Sequence, residues 1–576
     1  MTRDEVHSLR QAWESGDKAD PALRRDCAAR LEQLRRLFRE RPGEFTPELV
    51  ATLREIAGAV HEPAPTPTPS TPSLPDALKA AFGYDSFRPG QRPIIEAVLS
   101  GRDCIGVMPT GAGKSLTYQL PARILGGTVL VISPLISLMK DQVDALGEIG
   151  LRATFLNSSL GAEERRRRIA ALRRGEYELV YAAPEGLEAS VGGAIAGTDL
   201  KLIAVDEAHC ISHWGHDFRP AYRHLADLKT RFGGVPVLAL TATATGVVTR
   251  DIAAQLAMVD PLVLRGSFFR PNLHLAARKK GGRGTPQVRD AILKLVRARR
   301  GQAGIVYCIS RRAVESTAAF LRSHRLAALP YHAGMSAQER TATQDAFRSD
   351  EVDVIVATVA FGMGIDKPDI RFVIHRDLPR SVEGYYQEIG RAGRDGLPAD
   401  CMLFYSWADV MAFDGLSDDS TPEMAARRRR QVRELYNLLE RGGCRHQWLV
   451  GYFGERIDPC GESCDVCVTA VEVEEGAPAR ARSLQRPPLD AEQQVDVASA
   501  FDSLDGGALF QELRALRKRI ATERHVPAYL VFGDAALLEM ARRRPRTEEE
   551  LLAISGVGAK KLAQYGAAFL ALLRDS

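Results

Sequence analysis

Met108-Pro109-Thr110-Gly111-Ala112-Gly113-Lys114-Ser115 follows the apolar run Cys104 to Val107 and precedes a helix-like segment that opens at Leu116. A strand, a glycine-punctuated turn ending in Lys-Ser and then a helix is the layout of a nucleotide phosphate-binding loop. Gly111 and Gly113 let the backbone N–H groups around Thr110 converge on phosphate oxygens. Lys114 brings a point charge to the β- and γ-phosphates, and Ser115 offers a hydroxyl to Mg²⁺. The stretch therefore reads as a site for a nucleoside triphosphate. Met108 stands where the strict pattern has a glycine.

Around this loop, strands alternate with helices. Val/Ile-rich runs at Thr128 to Ser133, Glu178 to Ala182, Leu200 to Val205 and Val235 to Leu240 are each followed by a helix-like segment, the rhythm of a parallel sheet covered on both faces. The pattern restarts at Gly304 to Ile309 and continues through Ala327 to His332, Val352 to Ala357, Phe372 to His375 and Met402 to Tyr405. Two tandem α/β lobes are the expected core, with ligands at the carboxyl ends of the strands.

The chemistry-bearing residues fall at such ends. Asp206-Glu207-Ala208-His209 closes the third of these runs; Asp206 can hold Mg²⁺, and Glu207 can polarise the water that attacks the γ-phosphate. In the second lobe, Gln387-Glu388-Ile389-Gly390-Arg391-Ala392-Gly393-Arg394 sets two arginines three apart among glycines. They suit an arginine-finger role across an interlobe cleft, with Gln387 beside them. A site shared between lobes makes hydrolysis alter the interlobe angle, which is how a motor works.

Length and composition set wider bounds. On ~150 residues per domain, 576 residues hold roughly three to four domains. Apolar and charged contents of 45% and 26% are those of a globular chain, not of a disordered or fibrous one. No run reaches the ~18 apolar residues of a membrane span and no secretory leader is legible, so the expectation is a cytoplasmic protein without a membrane partner, nucleoid-associated if bacterial. A net charge of +4 does not by itself argue for nucleic acid. His61 to Leu74 is a Pro/Thr/Ser linker, and before it Arg24 to Val60 has helical periodicity, with Leu31, Leu34 and Phe38 on one face and Leu37 at its edge. Five of the nine cysteines are scattered. Cys444, Cys460, Cys464 and Cys467 cluster late and suit a closed, tetrahedral zinc site.

Taken together, the stretch from about Leu78 to Cys467 resembles the RecQ family of superfamily 2 DNA helicases, and the C-terminal segment resembles the HRDC domain carried by many members. Phe82-Gly83-Tyr84-Asp85-Ser86-Phe87-Arg88-Pro89-Gly90-Gln91 is similar to the family's adenine-reading segment. The resemblance implies that Gln91 bonds the base edge while Tyr84 and Arg88 stack on its faces, which favours ATP. His213-Trp214-Gly215-His216-Asp217-Phe218-Arg219 resembles the aromatic-rich loop that couples DNA contact to hydrolysis. There Trp214 and Phe218 can stack on unpaired bases, and Arg219 can pair with a phosphate or with the catalytic carboxylates. Segments beginning at Ser133, Thr241, Tyr331 and Thr358 are similar to motifs that grip the DNA backbone, Ser133 and Thr358 among them, or link it to the nucleotide.

The resemblance implies two RecA-like parallel-sheet lobes, a helical zinc-binding subdomain and a small all-α HRDC-like domain. It implies ATP, Mg²⁺ and Zn²⁺, 3′-to-5′ polarity and a role in DNA repair and recombination. The implied partners are single-stranded and tailed or branched duplex DNA, with a single-stranded-DNA-binding protein or repair proteins beside them. The domains are expected at 1–60 (helical appendage), 61–75 (linker), 76–270 and 271–415 (the lobes), 416–470 (zinc), 471–504 (linker) and 505–576 (HRDC-like). The x₃ spacing between Cys460 and Cys464 is one residue longer than the family's x₂. Many members follow the zinc with a winged helix of roughly 100 residues, for which the second linker leaves no room. Its helix candidate Ala491 to Leu504 is at most a remnant. Two alternatives stay open on sequence: an RNA helicase of the same superfamily, and a translocase with little intrinsic unwinding. Val526 to Gly533 and the turn Ile554-Ser555-Gly556-Val557-Gly558, with Lys560 and Lys561, carry the HRDC likeness; phosphate gripping, protein contact and a structural role are all open there.

Overall fold

Apolar runs bounded by glycine and proline condense into two parallel sheets in the computed structural model. It describes residues 2–15, 21–41, 43, 45–46, 49–53, 56–57, 73–134, 136–187, 192–195, 197–212, 218–281, 287–359, 361, 367–414, 422–468, 507–524 and 526–575. Two compact units divide at Ala77/Leu78. In the first, the helices Thr2–Ser15 and Pro21–Glu40 close a core of Val6, Leu9, Trp13, Cys27, Leu31 and Leu34. Leu37 packs against this core, whereas Phe38, expected on the apolar face, is 41% exposed and lies edge-on to Phe45. The seam through Cys27, Leu31 and Leu34 has drifted past position 38 in the last turn, so Leu37 takes the inner place.

In the second unit, the first sheet has seven strands in the order β3-β4-β2-β5-β6-β1-β7. They are β1 Cys104–Val107, β2 Thr128–Ile132, β3 Ala153–Leu156, β4 Leu179–Ala182, β5 Leu200–Val205, β6 Val237–Thr241 and β7 Leu262–Arg265. The second has six, in the order β10-β11-β9-β12-β13-β8: β8 Leu273–Lys279, β9 Ala303–Tyr307, β10 Ala328–Tyr331, β11 Val354–Ala357, β12 Ile370–His375 and β13 Ala399–Tyr405. Every pairing among these strands is parallel. The central strands are buried along their whole length, which is why they read as unbroken apolar runs. β3, β7 and β8 were not legible as strands, and all three are sheet edges. β7 alternates half-buried and exposed residues and carries no such run.

Beyond the second sheet, the helices Pro422–Arg441 and Arg445–Tyr452 lead into the four-cysteine turn. That turn is sewn to the edge strand β8: Leu275 N donates to Ser463 O, Ala277 N donates to the Asp465 carboxylate, and His446 Nε2 lies 3.0 Å from Leu273 O. The helices from Gly507 to Asp575 enclose a separate core in which Leu509, Leu513 and Leu516 lie on one buried face. Residues 61–72 of the first linker, Trp214 and the helix candidate Ala491 to Leu504 lie outside the described residues, whereas Leu74, expected within that linker, opens the helix Leu74–Phe82. Among the described residues, no helix is long and apolar enough to cross a membrane.

Candidate active site between the two lobes

The phosphate loop leaves β1 and turns into the helix Leu116–Ile124. Gly111 and Gly113 have φ of +86° and +76°, in the left-handed region where a side chain is strained, and a Cβ at Gly113 would come within 2.5 Å of Gln91 Nε2. Gln91 is buried and engaged with the loop itself: Nε2 donates to Gly113 O (2.9 Å) and Ala112 O (3.3 Å), while Oε1 accepts from Arg88 N. The Arg88 guanidinium donates to Gly111 O. Tyr84, 54% exposed, stacks parallel to Phe82. Of the three residues expected to read adenine, Arg88 and Gln91 thus brace the loop's backbone, and Tyr84 stands exposed beside Phe82.

At the end of β5, Asp206 is half-buried, accepts from Glu207 N, and is held in place by Tyr222 Oη donating to its carbonyl. Burial, reinforced by the Glu207 charge and offset by Lys114, pushes its carboxyl up to about 7. Two adjacent carboxylates, with the Lys114 ammonium close enough to act on Asp206, are hard oxygen donors that fit a divalent cation such as Mg²⁺. Glu207 has φ +48°, a left-handed conformation costing a non-glycine residue roughly 1 kcal/mol, which marks a backbone bent to aim a side chain.

From Glu207 a polar chain runs towards the second lobe; its ends Glu207 and Gln387 and the Thr241 segment are legible in the sequence, and the role of His209 and the bonds that join them are not. His209 Nδ1 lies 3.3 Å from the Glu207 carboxylate and 2.9 Å from Thr241 Oγ1. Thr243 N donates to Thr241 Oγ1, and Gln387 Nε2 of the second lobe donates to Thr243 Oγ1 at 3.2 Å. His209 was visible only as the last letter of the Asp-Glu motif. Its role emerges because β5 and β6 are neighbours.

The second lobe closes the site from the opposite side. The helix Val382–Ile389, capped by Ser381, ends at Gly390, where a Cβ would stand 3.1 Å from Thr110 Cβ. Arg394 Cγ is 3.4 Å from the point where a Gly111 Cβ would sit, so the second arginine lies over the phosphate loop. Arg391 is buried and bonded to the Tyr307 hydroxyl, whose pKa burial pushes up to about 12. Arg270, also missed, ties the two walls together. Its Nη1 donates to Thr110 O (2.9 Å), and its Nη2 donates to Ala392 O (3.1 Å) and Gly393 O (2.7 Å). A lone arginine in a connecting segment gives no periodic signal by which to find it.

The expected DNA contacts are less gathered. Phe218 is half-buried with the Arg223 guanidinium 5.4 Å over its ring, and Arg219 follows it, its N–H bonded to Cys210 O. Ser133 is buried at the end of β2, and Thr358 is half-buried after β11. The four cysteines converge: their sulfurs all lie within 4.8 Å of one another. Burial, with neighbouring sulfurs adding to it, pushes the Cys467 thiol up to about 11. Thiolates this close need a compensating cation, and four sulfurs are the donor set of structural zinc.

Profiles of known families match in the same order: DEAD/DEAH box helicase over residues 88–252, helicase conserved C-terminal domain over 287–396, RecQ zinc-binding over 407–468 and HRDC over 507–573. The ATP-dependent DNA helicase RecQ of Pasteurella multocida is 37% identical over 595 aligned positions, covering 87% of this chain and 93% of the relative. The chain belongs to the RecQ family of ATP-dependent DNA helicases. The RecQ protein of Bacillus subtilis is 36% identical, covering 85% of this chain and 96% of its own length. A structure of a Saccharomyces cerevisiae Dbp5 variant bound to RNA and ADP BeF3, at 17% identity and a TM-score of 0.51 over 70% of this chain and 98% of that one, shares the two-lobe fold. As a RecQ helicase the protein is an ATP hydrolase that uses ATP and Mg²⁺ and carries zinc, and its family acts in DNA repair and recombination.

Proposed function

We propose that hydrolysis is performed jointly by both lobes and drives 3′-to-5′ movement along single-stranded DNA. The observation that carries this reading is the approach of Arg394 to Gly111, with Arg270 bonded to both walls. Lys114 and the loop amides neutralise the β- and γ-phosphates. Mg²⁺, held by Ser115 and Asp206, supplies charge compensation to the phosphate oxygens when bound. Glu207 orients a water whose oxygen bonds to the γ-phosphorus as the bond to the β,γ-bridging oxygen breaks; the water's proton passes to solvent and ADP and phosphate leave. Arg391 and Arg394 stabilise the charge that develops on the transferred group. Gln387 reports the state of Thr243, and through His209 that of Glu207, to the second lobe. Tyr84, Arg88 and Gln91 bind the adenine side. Trp214, Phe218 and Arg219 hold unpaired bases, while Ser133 and Thr358 lie along the backbone path. Cys444, Cys460, Cys464 and Cys467 hold zinc in a closed site that stabilises the second lobe's edge.

The same reading places domain limits at 60, 75, 270, 415, 470 and 504. It also favours a strand-separating element unlike that of relatives with a winged helix. Only 38 residues separate the zinc-binding match from the HRDC match, fewer than the ~50 of the smallest ordinary domains. The Pasteurella alignment occupies more positions than this chain has residues while using 87% of it. Opening duplex costs ~1.4 kcal/mol per step, so movement and separation are distinct demands.

Turnover and unwinding measured together on single-stranded DNA and on a 3′-tailed duplex, with Lys114→Ala as the blank, test both readings. DNA-stimulated turnover with 3′-tail-dependent unwinding is expected. Turnover without unwinding would establish the translocase alternative, and turnover by Lys114→Ala would refute the phosphate-loop assignment.

A further inference from the structure

Among the described residues, the largest fully buried side chain belongs to neither lobe. Arg517, on the helix Gly507–Arg524 of the HRDC region, is 0% exposed. Within its own domain Nη1 donates to Phe532 O (3.0 Å) and to the Asp534 carboxylate (2.8 Å). On its other side Nη2 stands 3.6 Å from each of two second-lobe carboxylates, Asp350 and Asp369. The same helix face adds Arg514 Nη1 donating to Gly301 O (3.0 Å) and Lys518 Nζ donating to Asp350 O, while Leu397 of the second lobe packs against the HRDC core.

The acceptors are no ordinary surface acids. Asp369 is 2% exposed, and neither of its carboxylate oxygens has a hydrogen-bond partner. Lys367, 1% exposed, sits 3.2 Å from it and donates to Asp350 at 2.5 Å. Burial acts to raise the Asp369 carboxyl, but the charges of Lys367, Arg517, Arg371 and Arg514 outweigh it and hold the group well below the usual carboxylate range. A buried carboxylate held by charge alone depends on each of those cations. Two residues on, the Arg371 side chain donates to Asp369 O (3.2 Å), to Pro398 O (3.3 Å) and to the carboxylate of Asp395, the neighbour of Arg394. One charged lattice therefore joins the HRDC helix to the arginine-bearing segment of the active site.

We propose that Arg517 is a positioning residue for ATP hydrolysis: it fixes the HRDC domain to the second lobe as one rigid body and, through Asp369 and the Arg371–Asp395 pair, holds the Arg391–Arg394 segment in register. This rests on the reading of Arg391 and Arg394 as the second lobe's contribution to hydrolysis. The HRDC domain then acts as a part of the motor and not as a module swinging on its linker.

The test uses the full zinc-loaded chain with a protease site inserted in the 471–504 linker. After cleavage of otherwise native protein, the C-terminal fragment is expected to co-elute with the helicase core in gel filtration. Arg517→Met should release it, and so should the double change Arg514→Ala/Lys518→Ala, which spares the Arg517 contacts inside HRDC. In uncleaved protein with saturating DNA, Arg517→Met should lower kcat about tenfold with KM for ATP changed less than twofold, and Arg517→Lys should recover part of it. Release of the native fragment, or wild-type kcat in Arg517→Met, overturns the proposal. Arg394→Ala run beside them separates the two claims: if it turns over normally, the finger reading fails whether or not HRDC stays docked.

Discussion

The two sheets are the same construction used for different ends. Counted from its own first strand β8, the second lobe has the order 3-4-2-5-6-1, which is the order of the first lobe before its extra edge strand β7. In the first lobe, strand one is interior and runs into the phosphate loop, with Asp206 and Thr241 at neighbouring strand ends. In the second, strand one is an edge, and the zinc turn is laid along it: Leu275 bridges Cys464, and Asp465 binds both Ala277 N and Arg445. A repeated fold thus carries nucleotide chemistry in one copy. In the other it supplies arginines from the amino ends of β8, β12 and β13, where Gly393 N donates to Ile370 O and the Asn272 amide donates to Gly393 O, with its first strand used as a seat for zinc.

The sharpest way to break this comparison is to remove the metal. Structural zinc contributes roughly 10 kcal/mol or more of apparent binding energy, so chelation or Cys464→Ser should collapse the zinc turn and expose β8. Calorimetry should then show the second-lobe transition moved down with the first-lobe transition in place; a common shift of both would deny that the edges are used differently. Next in size is Arg270→Ala. Losing charge-assisted bonds from one guanidinium to Thr110, Ala392 and Gly393 should cost about 2–3 kcal/mol, read as a drop of at least thirtyfold in kcat with ATP binding largely kept. An unchanged kcat would mean that the walls need no tie. Smallest is Gln387→Ala, which removes one neutral hydrogen bond worth ~1 kcal/mol. About fivefold slower DNA-stimulated turnover is the expected outcome, and an effect confined to ATP affinity would break the chain drawn from Glu207.

What the sequence made legible follows burial. Strands covered on both faces showed as apolar runs, and the phosphate loop, the Asp206–Glu207 pair and the four cysteines showed because their chemistry demands fixed residues at short spacing. The edge strands β7 and β8 escaped because their covered and uncovered residues alternate and need no unbroken apolar run, whereas β3, mostly buried, escaped as a four-residue strand whose apolar run is broken by Thr154. Arg270 and His209 escaped because their partners lie more than thirty residues away along the chain, as Thr110 and Thr241 do. Arg517 was hidden in a basic run, Arg514 to Arg519, that looks solvated; yet it stands four residues after Leu513, on the face of the helix that is buried.

The central claim is that the phosphate site is completed from the second lobe, and Arg394→Ala tests it most directly. Saturating single-stranded DNA and ATP should give turnover lowered by about 10³-fold or more, while ATP binding, measured by titration of a fluorescent analogue, stays within a few-fold of wild type. Turnover near that of wild type would contradict the account and leave the first lobe as a self-sufficient site.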